Sequence, residues 1–448
     1  MDLSQPLSRL TPQQRAVTIA VAVVCALSRF AARARTLWDW DETQFCLGMR
    51  SFDVSNHHPH PPGFPVFIGL GRIARLFIHD DFRALQSVNL LAGILLFPAM
   101  FLLARELRFR FETALVAAGL CAFFPNVWFF GGTAFSDVPS LTLVVFAVAM
   151  LLRGCRSANA YLAGSLLLAL AVGIRPQNFL IGLFPGALAT WYRARVAWRD
   201  VVFAALIGVV IVVTAFGGAV VATGGAGPYM SAVSAHADYI SNIDSFRSPD
   251  RPPLWRLFDR FFIKQYNEPV LSVIMSLFVM ISLVTGLRQR DRRIGFLLLT
   301  FAPFAFMAWL MLDRFSVSRF SIGYCAMFAI LAADGIECVS GRHGGRILAM
   351  GAACILGFAA WTFPALGPVR NEVSPSVAAV QAVQKNLRRE RDDLFVGFAM
   401  RPFVDYFLPG FPYHRVLDER GLPLSIAKRT PWLLTEIVRT TPHGFVFH

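Results

Sequence analysis

Three carboxylates, Asp39, Asp41 and Glu42, fall within four positions, and three histidines, His57, His58 and His60, follow in a Pro-rich run. Both groups lie in the stretch Trp38 to Gly71, WDWDETQFCLGMRSFDVSNHHPHPPGFPVFIGLG. A carboxylate within about 2.6–3.2 Å of a hydroxyl can take its proton as the oxygen attacks, which contributes about 10²–10⁴ in rate. A histidine beside it can hydrogen-bond a phosphate or the carboxylate itself. A plainer use exists for each group. The acids could simply cap a short helix, whose N-terminus favours negative charge. The histidines could pack the loop, and an H-x-H pair such as His58 and His60 holds zinc only with further ligands, for which no Cys is spaced.

The surroundings of this stretch are apolar. The chain has 448 residues, 56% of them hydrophobic and 16% charged, with mean hydropathy +0.54, which places it among polytopic membrane proteins. Ionisable groups at a membrane boundary are expensive and ask for a chemical reason. The net charge is +14, yet the Arg clusters fall between apolar spans, a pattern that suits lipid headgroups and topology signals and not nucleic acid. Seven cysteines without CxxC spacing read as small core residues. The first apolar run, flanked by Arg9, Arg15 and AARARTL, reads as an uncleaved anchor, with a signal peptide as the other reading.

Windows of about 17–25 apolar residues, shorter where Pro or Arg interrupts, predict a bundle of spans. Eleven appear, near 16–33, 84–104, 112–130, 138–153, 158–173, 177–192, 201–222, 269–287, 294–312, 318–339 and 346–364. Arg-rich connectors (105–110, 153–156, 193–199, 288–293, 342–346) put the N-terminus in the cytoplasm and, with an odd count, the C-terminus outside. The long segments are then external: a first loop over 34–83, a second over 223–268, and a tail over 365–448.

In the first loop, Phe45, Met49 and Phe52 recur opposite Gln44 and Arg50, predicting a surface helix over 41–53; 64–78 reads as a second interfacial helix. LWRLFDRFFIK (254–264) reads as a basic amphipathic helix. The tail runs from a helical pattern (376–389) through LFVGFA, RPFVDYF, HRVLD and GFVFH, predicting a small α/β domain that leans on the membrane part. The expected architecture is an all-α polytopic membrane protein of about eleven transmembrane helices (1–364) with a small external α/β domain (365–448).

Other residues could join the site. Asp137 opens the fourth span, although Ser136 and Asp137 also read as an N-cap with Pro139 in the first turn. Arg175 at a helix break, Arg314 and Arg319 between the ninth and tenth spans, and Arg29 offer forks suited to phosphate, or snorkel to headgroups. His236, Asp238 and Tyr239 sit in the second external loop.

With Asp41-Glu42 opening the first loop and HPPGFPVFIGLGRI (60–73) following, the sequence resembles the GT-C superfamily of polyprenyl-phosphate-sugar-dependent glycosyltransferases. That superfamily includes the protein O-mannosyltransferases and the lipid A aminoarabinose transferases. FSDVPSL (135–141) and GIRPQN (173–178) are similar to features of such proteins. The resemblance is specific over about 41–73 and elsewhere rests on the order of features; the tail matches only as an external α/β appendage.

The resemblance implies that an acceptor hydroxyl attacks the anomeric carbon of a lipid-phosphate-linked sugar, with inversion, and polyprenyl phosphate leaves. It makes Asp41 the base and Asp137 a second acid that orients the acceptor, or holds a divalent metal ion (Mg or Mn) with Glu42. It puts His58 and His60 on the donor side, with Arg175, Arg314 and Arg319 as phosphate-binding candidates. His236, Asp238 and Tyr239 in the second external loop could contact acceptor or donor, with His236 and Tyr239 as the acceptor-side candidates. The implied partners are the polyprenyl-phosphate-linked sugar donor, membrane lipids, and a glycan, lipid or protein acceptor, at the outer face of a bacterial cytoplasmic (inner) membrane. The alternative is a secondary transporter of a polar or anionic solute. Transporters place polar groups at mid-membrane in two related halves, which this chain lacks, although the break at Gly173, Arg175 and Pro176 would suit one. A third reading, a non-catalytic assembly protein, would have no need of Asp41.

Overall fold

Thr11 opens the first helix, α1 (Pro12–Ala31), with a reciprocal capping box: its hydroxyl accepts from the Gln14 amide and the Gln14 side chain accepts from its own. The computed structural model describes residues 7–243, 245, 247–248, 252–266, 268–311, 317–341, 343–416, 429–435, 440–441 and 444–445. Two short helices follow, α2 (Trp40–Arg50) and α3 (Pro65–Arg75). The bundle continues with α4 (Asp81–Glu106), α5 (Phe111–Phe123), α6 (Pro125–Phe130), α7 (Asp137–Gly154), α8 (Ala158–Ile174), α9 (Asn178–Val196) and α10 (Trp198–Ala222). After α11 (Ala226–Ile243) and α12 (Leu254–Phe258) come α13 (Pro269–Arg288), α14 (Arg292–Met311), α15 (Val317–Phe320), α16 (Cys325–Val339) and α17 (Gly344–Asn371).

The protein is a multi-pass membrane protein. Each expected span falls on helix, and among the described residues eight helical segments are long and apolar enough to cross a membrane. Two more, α5 and α8, are shorter, and α9 packs against α7, α8, α10 and α14. The span expected over 112–130 is divided because Pro125 bars the α region to Phe124, whose ψ is 131°. The Arg-rich connectors also pair internally. Buried Glu106 takes Arg153 at 2.7 Å and Arg156 at 2.6 Å, and Arg193 pairs with Asp200.

The tail is α/β, as expected. Helix α18 (Pro375–Asn386) precedes β1 (Asp392–Val396), α19 (Arg401–Phe407), β2 (His414–Arg415) and β3 (Thr430–Leu434); β4 (Thr440–Thr441) and β5 (Gly444–Phe445) pair antiparallel. The sheet is parallel, in the order β2-β1-β3, with Phe395 opposite His414 and Leu394 opposite Trp432. Strand β3 escaped the sequence reading because Pro431 argues against a strand. At an edge that residue is tolerated.

The tail does more than lean on the bundle. Val380, Phe403 and Val404 share one buried core with Phe45, Met49 and Phe67 of the first loop, and Trp40 meets Phe398 edge-on at 5.4 Å. Arg50 donates to Asp81 at 2.6 Å and to the Tyr406 carbonyl at 3.0 Å, while Arg75 reaches Asp81 at 3.0 Å. As a result α2 is buried from Glu42 to Met49, where an exposed polar face was expected. The pattern counted Gln44 as an outward residue, but it turns inward to a histidine of its own loop. The second loop also contains more helix than expected: α11 fills its first half, and Tyr229 donates to the Pro62 carbonyl at 2.9 Å.

Candidate active site

The three acids at the start of α2 divide their tasks. Asp39 is the N-cap and its carboxylate accepts from the Asp41 amide at 2.8 Å. Glu42 completes the capping box: one oxygen accepts from the amides of Trp38 (2.7 Å) and Asp39 (3.1 Å), the other from Ala134 (2.7 Å) in the link before α7. The capping expectation therefore holds for two of the three acids. Glu42 is fully buried with both oxygens occupied, so the geometry departs from a catalytic or metal-holding Glu42. It fastens α2 to the bundle. Burial pushes its pKa up to about 7, against three amide donors that favour the ionised form. Glu42→Gln places an amide NH₂ against a backbone N–H and should cost about 1–3 kcal/mol, read as a lower unfolding temperature in detergent.

Asp41 takes no part in the capping. Its Oδ2 lies 2.8 Å from Nη2 of Arg319, on α15, and its Oδ1 lies 3.6 Å from Nδ1 of His60. Burial alone would raise its pKa; the charges of His60, Arg319 and Arg175, with the Arg319 hydrogen bond, outweigh burial and hold it below the usual carboxylate range. Arg319 is itself buried, which works against its charge, but Asp41, Asp137 and Asp39 more than offset that. Its guanidinium stacks 4.7 Å from the Phe135 ring centroid.

His60 accompanies Asp41. Its Nδ1 sits 2.9 Å from Gln44 Oε1, so the proton belongs on Nδ1 and Nε2 remains an acceptor. Burial lowers its pKa to about 4 despite the pull of Asp41. At pH 7 it is neutral, and the ionised state of Asp41 there rests on the arginines. Because the unfolded chain protonates this histidine near pH 6.5 and the fold only near 4, stability is lost as pH falls through that window. The slope from one such group is at most about 1.4 kcal/mol per pH unit. Between pH 7 and 4.5 His60→Asn should lose less stability than wild type, read as the difference between the two unfolding temperatures; His57, His58 and His236, whose pKa values burial also lowers, act in the same sense and Glu42 in the opposite sense in both proteins.

A second ion pair adjoins the first. Asp137 Oδ2 meets Arg175 Nη2 at 2.8 Å, and Arg175 Nε donates to Ser136 Oγ at 3.0 Å. Ser136 occupies the N-cap position of α7, yet its hydroxyl makes no cap bond there. Arg175 ends α8, where Pro176 stops the helix.

The structure thus gathers Asp41, His60, Asp137, Arg175 and Arg319 from five separate segments. His236, on α11, brings its ring within 5.9 Å of His60 and 6.4 Å of Tyr239. His58 is not gathered. Its Nδ1 faces Ser51 at 3.3 Å, and its backbone pairs with Asp53. The charge of Asp41 acts on His57 in its place, and the His57 ring lies 6.1 Å from His236. Arg314 lies outside the described residues. Sequence reasoning missed Gln44 and the site-side role of His57; the helical offset of Gln44 from Asp41 was the one available signal for the first.

Among the described residues no group of three or more His, Cys, Asp or Glu is placed to hold a metal ion. In the expected pair Glu42 is occupied by backbone amides and Asp137 is bound to Arg175.

No protein-family model matches the sequence, and no curated protein matches it either. Solved structures do match. The Archaeoglobus fulgidus oligosaccharyltransferase AglB, in complex with an inhibitory peptide and a dolichol-phosphate, aligns with TM-score 0.59 and 13% identity over 88% of this chain. ArnT from Cupriavidus metallidurans bound to undecaprenyl phosphate aligns with TM-score 0.55 and 14% identity, over 94% of this chain and 90% of that one. The chain has the GT-C fold. It spans 64% of the archaeal protein's length, and at these identities the likeness establishes fold alone. Another form of the archaeal protein is a complex with Zn and sulfate. On this GT-C fold, the cluster around Asp41 lies where the first-loop helices and the tail close over one end of the bundle.

Proposed function

We propose that the chain is an inverting membrane glycosyltransferase that moves a sugar from a polyprenyl-phosphate carrier to a hydroxyl on a glycan, lipid or protein. The observation that carries this reading is Asp41: the one acid of its trio not spent on capping, held between Arg319 and His60. The acceptor oxygen bonds to the anomeric carbon, the bond from that carbon to the phosphate oxygen breaks, and the acceptor proton passes to Asp41. The leaving phosphate carries the electron pair away and is stabilised by Arg319 and Arg175. Arriving phosphate draws Arg319 from Asp41, and the carboxylate becomes more basic as it is needed. His60, with a free Nε2, orients the donor, and His236 and Tyr239 stand on the acceptor side. No step runs through a metal.

In this reading residues 1–364 form the catalytic part and 365–448 an external domain that closes over it. The same reading has the N-terminus in the cytoplasm and the site at the outer face of the inner membrane, an orientation that the Arg-rich connectors support. The test against a transporter uses membrane vesicles whose ion gradients have been dissipated. Movement of labelled sugar from the carrier into an acceptor under those conditions supports transfer. Solute uptake that needs the gradient, with no transfer, would overturn it.

A further inference from the structure

A second polar recess, lined by none of the residues gathered around Asp41, lies where α1 and α17 end and α4 begins. Arg33 and Arg35 after α1, Arg83 at the start of α4, and Arg370 in the last turn of α17 line a cavity of about 360 Å³ with Asn371. Two of these arginines are fixed by main chain. Arg83 donates to the carbonyls of Ala34 and Arg35, each at 2.8 Å, and to Gln86 at 2.6 Å; Arg35 donates to the Asn371 carbonyl at 2.5 Å. Gln86 in turn donates to the carbonyls of Ala34 and Gly132, so the frame is rigid. Among the described residues none of the four arginines pairs with a carboxylate. The acid beside them, Asp80, caps α4 through the Arg83 amide at 2.7 Å. Four like charges held together repel unless an anion joins them.

The surface leading to the recess says which side it serves. Phe30 in the last turn of α1 is 51% exposed, and Trp361 and Phe363 on α17 are 52% and 59% exposed. Arg370 lies about 10–13 Å further along α17 than these two, at 1.5 Å per residue. Apolar, lipid-facing surface gives way to arginine over that distance, as it does between acyl chains and headgroups.

We propose that this recess binds a phosphate group, and the apolar approach favours the headgroup of an anionic lipid over free phosphate. Guanidinium forks match phosphate oxygens in pairs. The proposal is independent of the transfer reading.

The test is the rate at which phenylglyoxal modifies Arg33 and Arg370 in the full chain, read by peptide mass spectrometry. Exposed Arg388, between α18 and β1 in the tail, serves as reference. Three samples are compared: nanodiscs of phosphatidylcholine, the same with phosphatidylglycerol, and phosphatidylcholine nanodiscs with inorganic phosphate. Slowing of both arginines by about fivefold relative to Arg388 in the phosphatidylglycerol discs is expected and identifies a lipid headgroup. Equal slowing with inorganic phosphate alone supports the site with a soluble occupant. No slowing in either sample, or slowing of Arg388 to the same degree, overturns the proposal.

Discussion

Asp41→Asn lowers sugar transfer by about 10²–10⁴-fold, the span attributable to a positioned base, while the protein remains folded at its normal level. The substitution keeps the size of the side chain and an oxygen for Arg319 at the place where Oδ2 lies 2.8 Å from the guanidinium. The capping box at the start of α2 is untouched, because Asp39 and Glu42 supply it. Loss of rate without loss of fold separates a base from a structural acid. Turnover with saturating donor, beside an unfolding curve in detergent, is the measurement. Full activity in Asp41→Asn would remove Asp41 from the mechanism.

Arg319→Gln has the next largest effect, a fall in turnover of about 10²–10³-fold, as for removal of one preorganised group that stabilises transition-state charge. Arg319→Lys recovers part of it, since the ammonium restores charge without the paired fork. A second signature follows from the ion pair. Without Arg319, burial is less opposed at Asp41, and its pKa rises. A base must be ionised to act, so the acid limb of the rate profile moves toward neutral pH in Arg319→Gln. Measured rate profiles of the two variants check this. A purely structural arginine would lower the amount of folded protein and leave the limb where it was.

Much of the bundle was legible because burying apolar residues in lipid leaves a long, simple record in sequence. The first-loop stretch was legible for the opposite reason: it is polar where the chain is otherwise apolar. What sequence did not reveal is which acid does what. Asp39, Asp41 and Glu42 look alike in one dimension, and only the Ala134 amide, 92 positions from Glu42, assigns that residue to structure. The different placements of His57 and His58 were hidden because the turn at Val54–Asn56 pairs the His58 backbone with Asp53 and sends its ring to Ser51. The burial of α2 was hidden because its cover, Phe403 and Val404 of the tail, lies more than 350 positions away. Helix α11 was passed over because His, Ser and Gly dilute its apolar pattern, although His236 within it reaches the rings of His57 and His60.

The most direct test of the account is release of free polyprenyl phosphate by the purified protein in detergent, from a panel of polyprenyl-phosphate sugars with membrane extract as acceptor source. Wild type is expected to release polyprenyl phosphate from at least one donor, Asp41→Asn to release it about 10²–10⁴-fold more slowly, and the donor that reacts names the sugar. Folded wild-type protein that releases nothing from any donor, or Asp41→Asn that releases as fast as wild type, would contradict the proposed transfer.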